Sequence, residues 1–303
     1  MSLKKFLTGS PNGCVSTFDD MLDILLSLLP AAIAGVLFFG FRAALLLFCC
    51  VASAALCEWG ISRILPKAAN VKDLSAIVTG LLVGMCMPST VPLPVAILIT
   101  VSATVIPRVF FGGHGCEIVS PAAFGAILTA VSFPTIANSF SDAFSGLSTA
   151  STPLNSPAGT YSYSQLLFGA HGGAIGEVGS LFLILGGLYL VFRRVASPAI
   201  ILSAIFTAII AALIFGQSVS VTVFGGGLLL GVIFMATART TSPQNLSGQL
   251  AFGVFIGFLT VVLRKYASVD EGVYFAICAA CLLRPLFSAI PEINIGGGKN
   301  ENA

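Results

Sequence analysis

A run of hydroxyl side chains interrupts strongly apolar sequence at residues 141–164, which read "SDAFSGLSTASTPLNSPAGTYSYS". The segment is crowded with Ser and Thr and contains no Lys or Arg. Because Ser and Thr hydroxyls form esters, such a segment is able to carry a covalently attached group. An ordinary Ser/Thr/Pro connector is the alternative, and the segment alone does not decide between the two.

Acidic residues beside or inside apolar runs are the second feature that could do chemistry. Carboxylates within a bilayer are costly, so those that occur there commonly handle ions or protons. They also serve as caps or first-turn groups that interact favourably with a helix dipole. Both interpretations are open for Glu58, Asp73, Glu117, Glu177, Asp270 and Glu271. Glu58 is the hardest to explain as a cap, because it lies within a predicted span.

Cysteine and histidine give weaker signals. Most of the eight Cys lie in apolar runs, where Cys behaves as a small hydrophobic residue. Cys278 and Cys281 share one helical face, which suits a metal or a redox disulfide. Packing is favoured, because no second ligand pair lies nearby in sequence. His114 and His171 each lie among glycines, which suits either a ligand contact or a surface turn.

The rest of the chain is too apolar for a water-soluble protein. It has 303 residues, of which 56% are hydrophobic and 9% charged, and its mean hydropathy is +1.01. Soluble domains carry about 25% charged residues. We therefore predict an all-α polytopic membrane protein with a single transmembrane domain over residues 1–303, and no nucleic-acid partner. About ten transmembrane helices are predicted, near residues 21–40, 43–62, 74–88, 92–107, 120–134, 178–192, 197–215, 222–237, 248–263 and 272–290.

Two similar stretches indicate an internal repeat. "TGLLVGMCMPST" (79–90) resembles "GGLLLGVIFMAT" (226–237), and the two lie in the third and eighth predicted spans. Because an offset of five spans is odd, the copies must run in opposite directions, which predicts two inverted five-helix repeats. Several predicted spans are short and Gly-rich, which is typical of broken helices that end at a site inside a transporter.

The distribution of basic residues predicts the orientation. If the N-terminus is cytoplasmic, only Arg42, Arg264 and Lys265 of the fourteen Lys and Arg fall outside. This bias matches the positive-inside rule. Both termini are then cytoplasmic, and residues 135–176 form a loop on the outer face.

The Ser/Thr segment also resembles a known motif. "TASTPL" (149–154) is similar to the flavin-attachment signature of the RnfD and NqrB proteins, which are membrane subunits of redox-driven ion pumps. That signature reads roughly Asp-x-x-Ser/Thr-Gly/Ser-Ala-Thr, and its final Thr is joined to the phosphate of FMN. Similarity extends over about residues 70–290 and includes "FGGHGCEIVSPAAFGAILTAVSFP" (111–134) and "GAIGEVGSLFLILGGLYLVFRR" (173–194). The length and short N-terminus are more similar to RnfD than to NqrB.

The resemblance implies that Thr152 carries the flavin. The spacing departs from the signature, however, because Asp142 lies ten residues before Thr152, farther than the signature expects. A strict match from Asp142 through Ser145 places Ser148 at the acceptor position, with Leu147 in place of Ala. Thr149 is a further alternative.

The resemblance also implies a function. The chain is expected to be an electron-transfer subunit, in the inner (cytoplasmic) membrane, of an Rnf complex, an ion-translocating ferredoxin:NAD oxidoreductase. Covalent FMN, a second non-covalent flavin (riboflavin or FMN), transported Na⁺ or H⁺, and other Rnf subunits including an outer-face flavin subunit are implied. We expect no NAD binding by this chain, because no G-x-G-x-x-G follows a strand. The alternatives are an NqrB-like subunit of an NADH:quinone Na⁺ pump, a channel or secondary transporter for a small solute, and a passive membrane anchor.

One segment departs from the family pattern. In "FMATARTTSP" (234–243), the family commonly has an Asp after the Ala-Thr pair, whereas this chain carries Arg239. If that acid is needed for coupling, the resemblance predicts that this protein handles ions differently or uses another carboxylate.

Overall fold

The protein is helical throughout the part of the chain that the structure describes. This computed structural model describes residues 17–64, 74–109, 117–137, 139–140, 153–154, 162–169, 171–267 and 269–291. No β-strand occurs in these ranges, which confirms the predicted all-α class. The first two helices, α1 (Thr17–Phe39) and α2 (Phe41–Ile64), are separated only by Gly40, whose φ is +74°.

Three of the described helices are long and apolar enough to cross a membrane: Phe18–Phe39, Phe41–Arg63 and Leu246–Tyr266. Shorter apolar helices of 10–17 residues pack with them. Large apolar side chains such as Leu37, Phe41 and Phe48 remain exposed on the surface of the bundle. An exposed apolar surface of this kind is stable in lipid and not in water. The structure therefore supports a membrane protein.

The first half of the bundle continues with shorter helices. These are α3 (Ser75–Met85), α4 (Leu93–Val109), α5 (Pro121–Ser132) and the short α6 (Pro134–Ala137). α2 packs against both α3 and α4. A Cβ on Gly80 would lie 2.7 Å from the carbonyl oxygen of Cys50, so glycine permits this close approach of α3 to α2.

The second half begins with α7 (Tyr163–Phe168), α8 (Ser180–Arg193), α9 (Pro198–Ile214) and α10 (Val219–Phe224). It continues with α11 (Leu228–Leu230), a π-helical turn (Gly231–Met235), α12 (Leu246–Tyr266), α13 (Gly272–Leu282) and α14 (Arg284–Ser288). α9 and α12 form the most extensive helix pair. α1 packs along α8 and so joins the two halves.

The structure divides two of the predicted spans. The predicted span 222–237 is interrupted between α10 and α11, because Gly226 and Gly227 have φ values of +64° and +66°. These values lie in the left-handed region, which an α-helix does not use. We call α10, α11 and the π turn together the broken helix. The predicted span 272–290 ends early, at Leu282, and the chain resumes as α14.

Candidate functional site

Residues 174–177 lie between the end of α3 and the start of α11. The N–H groups of Ile175 and Gly176 donate to the carbonyl oxygens of Met87 and Met85, at 3.1 and 2.7 Å. The carbonyls at a helix end lack partners within the helix, so these bonds cap the C-terminus of α3. A Cβ on Gly176 would lie 2.7 Å from the Cβ of Met85, and glycine is therefore required for the contact.

Glu177 joins this cap to the broken helix. Its buried carboxylate accepts hydrogen bonds from the N–H of Ala174, at 3.3 Å, and from the N–H of Gly226, two residues before α11. A carboxylate at a helix N-terminus is favoured by the helix dipole. Burial raises the pKa of Glu177, while His171 and the Gly226 N–H act in the opposite direction. Glu177 thus binds the start of α11, although its position in sequence suggested a cap on α8.

Arg264, near the end of α12, completes the arrangement. Its buried guanidinium donates to the carbonyl oxygens of Thr222, Gly225 and Gly226 at 2.7, 3.0 and 2.9 Å, and to that of Asp270 at 3.2 Å. Thr222 and Gly225 belong to the C-terminal end of α10, where the helix dipole favours a cation. The break therefore has a cation at the end of α10 and a carboxylate at the start of α11.

We call this site the Glu177 junction and define it as Ile175, Gly176, Glu177, Gly226 and Arg264.

Leu154, within the Ser/Thr segment, lies against this junction. A Cβ on Gly226 would lie 2.6 Å from Cδ1 of Leu154 and would clash with Nη2 of Arg264. Both side chains therefore crowd the same point of the break. Leu154 is the second residue after Thr152, and Pro153 between them is buried.

Several predicted site residues lie outside the described residues, so their hydroxyls, carboxylates and rings have no described contacts. They are Thr152, Ser148, Thr149, Asp142, Ser145, Asp73 and His114. Of the other predicted residues, Glu177 is part of the Glu177 junction. Asp270 lies next to it, because its backbone carbonyl accepts a hydrogen bond from Arg264. His171 is buried close to it, and its Nδ1 lies 3.1 Å from the carbonyl oxygen of Gly172.

Glu58 and Glu117 belong to a second buried cluster, at the opposite end of α3. Nη1 of Arg108 donates to Glu58 at 3.0 Å, and its Nε donates to Glu117 at 2.9 Å. The same guanidinium donates to the carbonyl oxygen of Ser75 at 3.2 Å and to the hydroxyl of Thr79 at 2.8 Å. We call Glu58, Ser75, Thr79, Arg108 and Glu117 the Arg108 cluster. Both acids are paired with one arginine, which the sequence did not identify as their partner.

Arg239 also has a carboxylate partner. Its Nη1 donates to Asp20, in the first turn of α1, at 2.8 Å, and its Nη2 donates to the carbonyl oxygen of Arg194 at 2.6 Å. A cavity of about 100 Å³ lies beside this pair and is lined by Asp20, Phe234, Thr237 and Arg239 among others. The acid that faces this segment therefore comes from α1 and not from the segment itself.

The cysteines of the described ranges are free thiols, including Cys278 and the buried Cys281. In the same ranges no group of His, Cys, Asp and Glu is arranged to hold a metal ion. Cys281 belongs to the buried core, and Cys278 packs against it.

The fold and its two buried polar clusters define an integral membrane protein with a broken helix, a plan found in many transporters. The chain belongs to the NQR2, RnfD, RnfE family, whose model matches residues 12–296. The resemblance found in the sequence is thereby confirmed.

Relatives match over nearly the whole chain. One is a subunit of the Na(+)-translocating ferredoxin:NAD(+) oxidoreductase complex of Acetobacterium woodii, which is 33% identical over 93% of this chain and 91% of that protein. Another is a subunit of the proton-translocating ferredoxin:NAD(+) oxidoreductase complex of Clostridium ljungdahlii, which is 31% identical over 90% and 89%. A subunit of the ion-translocating oxidoreductase complex of Stutzerimonas stutzeri is 29% identical, over 89% of each chain.

Proposed function

We propose that this chain is the membrane electron-transfer subunit of an Rnf complex, which couples ferredoxin:NAD oxidoreduction to translocation of Na⁺ or H⁺. The single observation that carries the proposal is the contact of Leu154 with the Glu177 junction. Leu154 is the last residue of "TASTPL", and it lies where α3 and the broken helix meet. The names of the relatives agree with this function.

The covalent cofactor of the proposal is FMN, joined by its phosphate to Thr152. When bound, FMN supplies one- and two-electron transfer. Two residues of chain span at most about 7 Å, so the backbone of residue 152 is tethered close to Leu154. Arg264 places a buried guanidinium beside Leu154, so an anionic group there would meet this cation as well as the carboxylate of Glu177. Among the described residues, Leu154 lies next to the break.

The two halves of the chain are proposed to be inverted repeats. Arg108 binds Ser75 and Thr79 at the start of α3, whereas Arg264 binds Thr222 and Gly226 in the broken helix. Ser75 and Thr79 are four residues apart, as are Thr222 and Gly226. Thr79 and Gly226 are also the first residues of the two similar stretches, 79–90 and 226–237, so they occupy equivalent positions. Arg108 lies at the start of α3. Arg264 lies at the Glu177 junction, which caps the other end of α3. This arrangement supports opposite directions for the two copies.

A second, non-covalent flavin is proposed from the family resemblance alone. The cavity beside Asp20 and Arg239 has apolar walls and threonine hydroxyls, which suit a flavin in type. A neighbouring cavity of about 60 Å³ adjoins the Arg108 cluster. Both are smaller than small-molecule sites of about 300–1,000 Å³. A flavin would therefore require one of these two cavities to widen.

The proposed topology places both termini in the cytoplasm and residues 135–176 on the outer face of the inner membrane. Ferredoxin and NAD are cytoplasmic substrates, so electrons must cross a hydrocarbon core of about 30 Å to reach the flavin and then return. One hop is too long, and we propose that neighbouring Rnf subunits supply iron–sulfur or flavin centres, including one on the outer face. The ion pathway is proposed to involve acids among Glu58, Asp73, Glu117, Glu177 and Asp270.

The test is a denaturing gel of the chain from its native cells, viewed under ultraviolet light. We expect a fluorescent band at the mass of the protein in the wild type and in Ser148→Ala and Thr149→Ala, and none in Thr152→Ala. Peptide mass spectrometry that found FMN on Ser148 would refute the choice of Thr152 and leave the function standing. A wild-type band without fluorescence would refute the flavin subunit and leave the solute transporter and the passive membrane anchor, of which only the anchor would co-purify with redox partners.

A further inference from the structure

Two neighbouring cavities lie between α1 and the broken helix, and an ion pair lines the larger one. We propose that the two cavities form one hydrated crevice and that the side chain of Arg239, paired with Asp20, is the gate at its mouth. This inference concerns the access of water and small polar molecules to the inside of the bundle. It goes beyond the proposed function and does not depend on which cofactor or ion that function involves.

The two cavities are continuous with each other. Their volumes are about 100 and 60 Å³, and a space of about 10–15 Å³ already holds a water molecule. The smaller cavity ends at the Arg108 cluster, because Ser75, Thr79, Arg108 and Glu117 line it. The side chains that line both cavities are those of Met21, Ile24, Phe234, Ala238 and Thr240.

The inner end of the crevice calls for a hydrogen-bonding occupant. Ser75 is 2% exposed, and its hydroxyl has no hydrogen-bond partner among the described residues. A buried hydroxyl without a partner is costly, and ordered water commonly supplies the missing bond. Because Ser75 lines the smaller cavity, water in that cavity would satisfy it.

The ion pair joins the two walls of the crevice at its most open side. Asp20 lies in the first turn of α1, and Arg239 follows the π turn by four residues. Their side chains are 14% and 32% exposed, whereas Phe234 in the same cavity is 4% exposed. Nη1 of Arg239 donates to Asp20 at 2.8 Å, and its Nη2 donates to the carbonyl oxygen of Arg194 at 2.6 Å. The pair therefore lies between the outside of the bundle and the crevice.

The crevice can open by movement of one side chain, because other bonds hold the backbone around it. The buried carboxylate of Asp23 accepts hydrogen bonds from Tyr189 and Arg193, each at 2.9 Å, and these fix α1 to α8. The carbonyl oxygen of Arg239 accepts a bond from Nε2 of Gln244 at 3.1 Å, which holds the second wall. A partly exposed side chain rotates without movement of a helix. Rotation of the Arg239 side chain is therefore sufficient to uncover the mouth.

The experiment measures how fast a small neutral thiol reagent, methyl methanethiosulfonate, modifies Thr237→Cys in the purified complex, in a background without the native cysteines. Thr237 lines the larger cavity and is 6% exposed. Mass spectrometry gives the rate with the pair intact and with Asp20→Asn, Arg239→Gln or Arg239→Lys added. Phe18→Cys, two residues before Asp20 and 42% exposed, reports access of the reagent outside the crevice. Arg63→Gln, at an exposed position of α2, controls for the loss of a positive charge.

We expect Thr237→Cys to react more slowly than Phe18→Cys while the pair is intact. Asp20→Asn and Arg239→Gln should each raise the rate at Thr237→Cys by about twofold to fivefold, the range for a partly exposed ion pair. Arg239→Lys should remain closer to the unmodified pair because it keeps the charge. Arg63→Gln should leave the rate unchanged.

Two outcomes would overturn the proposal. An unchanged rate in both Asp20→Asn and Arg239→Gln would mean that the pair is no gate. Absence of reaction at Thr237→Cys in every variant would mean that the crevice does not admit small polar molecules. If Thr237→Cys fails to fold, Ala238→Cys, which lines both cavities, provides the same test.

Discussion

The Arg108 cluster allows a prediction whose size follows from its contacts. Arg108 is buried and pairs with two buried carboxylates, at 3.0 and 2.9 Å. Arg108→Met removes the cation and leaves Glu58 and Glu117 without it inside the bundle. Breaking a buried ion pair by removing one partner costs about 3–5 kcal/mol. At about 2–4 °C per kcal/mol, the apparent melting temperature in detergent should fall by roughly 10 °C.

The matched control is Arg42→Met. Arg42 also donates to a backbone carbonyl, that of Thr90 at 2.8 Å, but the bond is exposed. Its loss should cost about 1 kcal/mol. A tryptophan-fluorescence or light-scattering melt of the purified protein measures both variants. Equal melting temperatures for Arg108→Met and Arg42→Met would refute the view that the cluster holds α2, α3 and α4 together.

A triple variant separates charge balance from geometry. Replacing Arg108 with Met and both Glu58 and Glu117 with Leu removes the whole ion group. Such replacements are often neutral or stabilising by about 1–4 kcal/mol. The hydroxyl of Thr79 keeps a partner, because it donates to the carbonyl oxygen of Ser75 at 2.8 Å. We expect the triple variant to regain most of the melting temperature. If the two acids also conduct ions, it should remain deficient in ion translocation by reconstituted complex.

Two further predictions concern the break and the topology. Gly227→Ala should destabilise the protein more than Gly216→Ala in the same melt. The two glycines have similar φ values, +66° and +67°, so their backbone strain is matched. Gly227→Ala costs more because, of the two, only Gly227 lies against the hydroxyl of Tyr274. Equal losses would mean that backbone strain alone, about 1–2 kcal/mol, explains both. In a background without the native cysteines, Asn155→Cys should react with an impermeant thiol reagent in intact cells and Gln244→Cys only in broken ones. Labelling of Asn155→Cys only after breakage would reverse the topology and exclude the proposed electron route.

The sequence predicts the helices better than the contacts between them. Long apolar runs produce α1, α2 and α12 because a membrane helix needs about 20 apolar residues. The Gly-rich run at 226–237 signals an interruption, and Gly226 and Gly227 place it. The end of α13 was not predicted from the sequence. The helix ends at Leu282, whereas the apolar pattern continues through the predicted span 272–290 and does not distinguish a helix end there.

The partners of the buried charges were not accessible from sequence spacing. Glu58 and Arg108 are fifty residues apart, and Glu177 binds the N–H of Gly226 from a different segment. No periodicity encodes such contacts, because they depend on how helices pack. A usable signal did exist: few arginines occur inside apolar runs, and a buried arginine requires carboxylates or carbonyls. Arg108 and Arg264, which lie at the ends of apolar runs, therefore signal that buried partners exist without identifying them.

The two arginines also show why one end of α3 differs from the other. Arg108 is held by two carboxylates, and this ion group fixes the start of α3. Arg264 is held by backbone carbonyls at the break between α10 and α11. The Arg108 cluster therefore joins helices through carboxylates of other segments, whereas Arg264 binds the backbone of the broken helix directly.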